Sequence, residues 1–121
     1  MGMSQQTIIR KPLLRAALGT RTVSTVDVRE IVFAPGQETG RHQHPCPVVG
    51  YIAAGSAVLQ IDGHEPQSLP AGAAFYEPAQ TVIARFDNAS QTEPMKFIAC
   101  FLLEANEPLI ELLYGVKPEM L

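Results

Sequence analysis

Apolar residues in this chain alternate with polar ones in short runs, and glycine or proline closes most of those runs. Within 24–33, Val26 and Val28 flank Asp27; within 57–61, Val58 and Gln60 fall on one face, Leu59 and Ile61 on the other. Successive side chains of a strand point to opposite faces, so runs of this kind predict strands with one buried side. Stretches rich in Val, Ile, Phe and Tyr predict further strands over 48–53, 73–77, 81–86 and 95–103. Asp62-Gly63 between two runs signals a hairpin, because glycine readily takes the positive φ of a tight turn. Many short strands without intervening amphipathic helices point to an all-β, antiparallel barrel or sandwich. The 10 prolines and 9 glycines follow no fixed period, which argues against a solenoid or propeller.

The two ends read differently. Residues 7–18 fit either an edge strand or one short helix. Pro108, followed by Leu109, Ile110, Leu112, Leu113 and then Gly115, has the order of a helix that starts on proline and stops at glycine. With 121 residues, one domain accounts for the whole chain, 1–121. Its barrel core is expected over 23–104, flanked by an N-terminal strand segment, 6–18, and a C-terminal segment, 107–121.

Composition narrows the function. The formal net charge is −3 and no basic cluster occurs, so there is no electrostatic footprint for nucleic acid or for an anionic membrane. No apolar run approaches the roughly 18–20 residues of a membrane-spanning helix, and Arg15 interrupts the one candidate signal region. A cytoplasmic location is expected, with Cys46 and Cys100 as reduced thiols. Phosphate-binding glycine loops, nucleophile elbows and HExxH are absent from the sequence.

Chemistry concentrates in one stretch. His42-Gln43-His44 on a strand would aim both imidazoles at the same face, within reach of a single metal ion. Around this pair the spacing is Gly36, five residues, His42-x-His44, three residues, Val48, six residues, Gly55. Further on comes Gly72, five residues, Pro78-Ala79-Gln80, two residues, Ile83, three residues, Asp87. Together these resemble the paired motifs of the small single-domain cupins, over about 23–103. The resemblance implies an antiparallel double-stranded β-helix, or jelly-roll barrel, here with a short C-terminal helix appended. It also implies a divalent metal inside the barrel on three histidines and one glutamate.

Only half of that ligand set is present. His42 and His44 occupy the first two ligand positions, whereas Val48 stands at the glutamate position and Ile83 at the third histidine position. Gln80 replaces a glycine and Asp87 an asparagine. Glu77, at a strand end beside Pro78, is a substitute oxygen ligand, although an exposed acid is the commoner outcome there. Cys46 lies in a loop between Pro45 and Pro47, semi-buried at the barrel mouth. His64 falls in the hairpin turn, in solvent, and Cys100 in a core strand.

Three functions are compatible with these residues. One is a small-molecule binder whose apolar interior pocket is lined by His42, His44, Val48, Tyr51, Phe75 and Ile83. In it the imidazole pair would take a carboxylate or phenol, with at most a weak or incomplete metal site. A second is a metal-dependent enzyme of dioxygenase or isomerase type, with His42 and His44 completed by Glu77, water or substrate. The third is a non-catalytic regulatory or structural dimer. The cofactor is accordingly none or a weakly held divalent ion (Zn, Fe, Mn or Ni). A homodimer is expected because an open jelly roll leaves strand edges to cover.

Overall fold

The computed structural model describes residues 7–113, apart from the side chain of Leu112. Nine strands follow in order: β1 (Thr25–Phe33), β2 (His42–Gln43), β3 (Val48–Ala54), β4 (Ser56–Ile61), β5 (Gln67–Pro70), β6 (Ala74–Glu77), β7 (Ile83–Asn88), β8 (Met95–Leu103) and β9 (Glu111–Leu112). They form two sheets, one ordered β1-β8-β3-β6 and the other β5-β4-β7-β2-β9. The paired strands run antiparallel throughout. This is a two-sheet antiparallel jelly roll.

Strand alternation builds the core. Along β8, Met95, Phe97, Ala99, Phe101 and Leu103 are buried while the residues between them face outward. Phe33, Phe75 and Phe97 from one sheet meet Phe86 from the other, with ring centroids 5.3 Å apart for Phe33–Phe97 and 4.8 Å for Phe86–Phe97. Offset and edge contacts of this kind suit aromatic quadrupoles and bury large areas. Space for the Phe75 ring comes from Gly50, opposite it in the β3–β6 ladder. A methyl group on Gly50 would stand 2.1 Å from Phe75 Cζ and 2.7 Å from the Ile98 carbonyl oxygen. Gly55 turns β3 into β4 at φ +78°, with the Pro94 carbonyl 2.7 Å from where a Cβ would sit.

Both terminal expectations need correction. Residues 7–24 form neither strand nor helix; they lack regular structure apart from a turn at Gly19-Thr20 and are largely exposed. Arg21 ties their end down by pairing with Glu107 and reaching the Leu102 carbonyl. The segment that was expected to open a helix at Pro108 enters a strand instead, and Gly115 lies outside the described residues. β9 pairs with β2, His42 opposite Leu112 and Gln43 opposite Glu111, and the Gln43 amide donates to Glu111 at 2.9 Å. A helix of one or two turns is marginal by itself, and here a sheet edge offers its backbone better partners. β2, β5 and β9 have two to four residues each, too short for a periodic signal.

Gly50→Ala is expected to lower stability by about 1–3 kcal/mol, the range for overpacking a tight core. Chemical denaturation would measure it. Adding Phe75→Leu to the same chain should recover part of the loss, because the clash is with that ring.

Candidate functional site

β2 and β6 deliver the polar side chains of the interior. His42 lies in β2 and His44 directly after it, where Pro45 and Pro47 stop the strand. Glu77 ends β6 and pairs across the ladder with Val48 of β3. Directly opposed residues of an antiparallel pair have neighbouring Cβ atoms on the same face. The carboxylate missing at position 48 is therefore supplied one strand away, at position 77. His42, His44 and Glu77 are all buried, and one ligand atom from each lies within 4.8 Å of the other two. Ile83, opposite His42 in the β2–β7 pair, leaves hydrocarbon at the remaining ligand position.

Backbone carbonyls fix both rings. His42 Nδ1 is 3.0 Å from the Gly40 oxygen and His44 Nδ1 is 2.6 Å from the Leu109 oxygen. A carbonyl only accepts, so each Nδ1 carries the proton and each Nε2 is left as the ligating nitrogen. That outer support is typical of metal-binding histidines. His44 Nε2 stands 2.9 Å from Glu77 Oε1. With Nδ1 already protonated, this contact needs either a proton between the ring and the carboxylate or a cation shared by both atoms. Two ligands about 2.1 Å from one ion at a right angle stand about 3 Å apart, so the residues present fit a divalent metal.

The two rings respond oppositely to their surroundings. Burial is the largest influence on His42 and holds it below its ordinary value of 6.5; the Glu77 charge and the Gly40 carbonyl offset this only in part. Burial also depresses His44, but the hydrogen bond and charge of Glu77, with the Leu109 carbonyl, outweigh it and lift the ring above 6.5.

The loop that carries the Gly40 carbonyl is pinned by the second motif. Asp87, at the position where an asparagine is usual, accepts the Thr39 amide at 3.1 Å, and Thr39 Oγ1 accepts the Phe86 amide at 2.9 Å. Asn88 donates to the carbonyls of Ala34 and Glu93. Burial raises the Asp87 carboxyl above its ordinary value against the lowering by the Thr39 amide. Gln80 adopts φ +59°, the left-handed conformation that favours the glycine it replaces.

A cavity of about 350 Å³ opens beside the trio. Its walls are Phe33, Val48, Phe75, Phe86, Phe97, Phe101, Ile31, Leu109 and Ile110, with Thr39 and the trio as inner polar groups and Arg29 and Glu30 contributed by β1. Of the residues proposed from sequence as pocket lining, His42, His44, Val48 and Phe75 line this cavity. Tyr51 does not: it points away from the interior and is 42% exposed, because Val48, Gly50 and Ile52 take the inward positions of β3. Ile83 is fully buried in the core without being among the lining residues.

Glu77 departs from the expected exposed acid, being only 3% exposed. The two-residue period of β6 places Glu77 on the same inward face as Phe75. Cys46 is fully rather than partly buried and is no part of the trio; burial pushes its thiol up. Cys100 is half-buried on the outer face of β8 rather than in the core. His64 is exposed in its turn.

Comparison with known proteins places the architecture. A family model described as "Cupin domain" matches residues 29–101. No curated protein matches the chain in sequence. Among solved structures, a cupin-like protein of Thermotoga maritima is similar with 24% identity and TM-score 0.64, over 78% of this chain and 69% of that one. A DMSP lyase of Ruegeria pomeroyi is similar with 20% identity and TM-score 0.63, over 74% of this chain and 43% of that one. An oxalate oxidase in complex with the substrate analogue glycolate has 22% identity and TM-score 0.57, over 64% and 41%. The chain thus spans less than half the length of the lyase and the oxidase, and at these identities the likeness concerns fold alone.

In metal-free protein, NMR titration should find the two buried imidazoles on opposite sides of 6.5, His44 above and His42 below. Stability contributed by His44 is then fully present below 6.5 and is lost as pH rises through its raised value. The deficit from His42 runs the other way: stability falls as pH drops from 6.5 through its depressed value. Glu77→Gln should bring His44 below 6.5; a His44 that stays above it would show that Glu77 is not the cause.

Proposed function

The chain belongs to the cupin family, and on that premise we propose that it is a metal-dependent cupin acting on a small molecule with an apolar body. The observation that carries this reading is Glu77: a buried carboxylate on the same face as His42 and His44, directly across the ladder from the position that lost its glutamate. Two histidines and one carboxylate form the donor set of many non-haem iron sites, which keep positions open for substrate. A divalent ion held there would supply Lewis-acid polarisation of a bound oxygen.

The chain's own residues do the rest. Gly40 and Leu109 hold both Nε2 atoms toward Glu77 through their carbonyls. Phe33, Phe75, Phe86, Phe97 and Phe101 exclude water and favour an aromatic or branched hydrocarbon body. Small-molecule chemistry in the named lyase and oxidase gives this reading a precedent on the same fold. Binding in the cavity without metal ranks second, since a proton between His44 and Glu77 satisfies that pair too.

Calorimetric titration of metal-free protein with Mn(II), Fe(II), Ni(II) and Zn(II) is expected to show one ion per chain. Affinity should rise with pH through the His44 titration, because the proton held between His44 and Glu77 must leave. Glu77→Val should weaken binding by about a hundredfold or more, at least the loss usual for an outer-shell partner. Adding Val48→Glu in that background should restore binding, because the two positions share one face. Unchanged affinity in Glu77→Val would remove Glu77 from the site and leave the metal-free reading.

A further inference from the structure

Strand β1 sends Asp27, Arg29, Ile31 and Phe33 to the inner face of its sheet, opposite Phe101, Ala99, Phe97 and Met95 of β8. Phe33 is buried, whereas the Arg29 side chain is 55% exposed and lines the cavity at its rim. Glu30, the other charged residue that β1 brings to the cavity, turns its side chain to the outer face, 3.9 Å from Lys96. Imidazoles aside, no other cationic side chain among the described residues lines the cavity.

Asp27 occupies only one side of the Arg29 guanidinium. Nε donates to Asp27 Oδ1 at 2.7 Å and Nη2 to Oδ2 at 3.1 Å. A guanidinium carries five N–H donors in a planar fork geometry, and the second fork, on Nη1 and the remaining Nη2 proton, meets no acceptor among the described residues. Asp27 does not line the cavity, so it holds the group from the far side. The ladders connect this rim to the trio. Asp27, Phe101, Val48 and Glu77 form one row across β1-β8-β3-β6, and Arg29, Ala99, Gly50 and Phe75 form the row beside it. Strands β1 and β6 are three strand spacings apart, about 14 Å. Phe101 bridges that interval, lining the cavity with its ring edge-on to His44 at a centroid distance of 5.6 Å.

We infer that the small molecule taken by this cavity is a carboxylic acid. Its carboxylate docks on the open fork of Arg29, its hydrocarbon body lies over Phe101, and its far end meets the trio. Only the far end relies on the metal reading proposed above; docking on Arg29 does not. Two coplanar N–H donors match the two oxygens of a carboxylate. A phosphate would bring a third oxygen and further charge beside Asp27, with no second cation at the rim to meet them. Size agrees, since about 350 Å³ takes roughly a dozen water-sized groups at about 30 Å³ each: one ring, a short chain and a carboxylate. Asp27 is then a positioning residue, which fixes the fork before the acid arrives and so reduces the entropy lost on binding. Arg29 sets specificity and stands apart from the chemistry at the trio.

Calorimetric titration of metal-free protein at neutral pH with para-hydroxyphenylpropionate, its neutral amide and para-ethylphenol tests this. The acid should bind about tenfold more tightly than the amide, the low end for a charge-assisted contact at a half-exposed site. Arg29→Gln should erase that preference and Arg29→Lys should keep part of it. Neither should alter binding of para-ethylphenol, which lacks the carboxylate. Zn(II) should then tighten the acid and para-ethylphenol alike, through the phenolic end. An acid preference that persists while Zn(II) changes nothing supports the docking and removes the metal reading alone. In wild type, acid and amide bound equally, or neither bound, overturns the inference. So does a preference that survives Arg29→Gln, which would put the carboxylate at His42 and His44 instead.

Discussion

Two imidazoles and a carboxylate inside a barrel lined with phenylalanine and aliphatic groups set the terms for the rest of the molecule. A buried charge without a partner costs several kcal/mol, so every polar atom of the trio must meet one. His44 is met on both sides, by the Leu109 carbonyl and by Glu77; His42 is met by the Gly40 carbonyl. Those carbonyls belong to connecting segments, which must themselves be held in place. Asp87 and Asn88 hold the first through Thr39, Gln37 and Ala34. Pairing of β9 with β2 holds the second. In a helix, the Leu109 carbonyl would accept the amide four residues on and be unavailable to His44. The strand at the C-terminal end is thus part of the site's support.

The interior is divided in kind. Its aromatic region is packed by rings from both sheets, made possible by the bare backbone at Gly50. Its inner polar groups, the trio and Thr39, come from β2, β6 and two loops, with Arg29 and Glu30 of β1 added beside them. A guest entering such a space is oriented before any chemistry begins, hydrocarbon toward the rings and polar group toward the trio.

Much of this was legible in the residues. Alternation and apolar runs placed six of the nine strands to within two residues at each end, and the motif spacing pointed to the jelly roll and the convergence of His42 with His44. What stayed hidden was what depends on pairing between distant segments. β2, β5 and β9 exist because neighbouring strands offer partners, and their own residues, His42-Gln43, Gln67–Pro70 and Glu111-Leu112, carry no run of apolar residues that marks a strand. Tyr51 and Cys100 take the outer face, which residue type does not reveal, because an aromatic or sulfur side chain suits either face and only register decides which. Glu77 was undervalued because its role depends on Val48, 29 positions earlier in the chain and one strand away.

That last relation has a consequence for how such sites arise and are found. Since Val48 and Glu77 occupy adjoining points on one surface, a carboxylate can pass between them by two substitutions while the barrel keeps its shape. Linear patterns, which track letters along a single strand, score the outcome as loss. Comparison of cross-strand neighbours would score it as a transfer, and barrels set aside as degraded by the first measure become candidates again under the second.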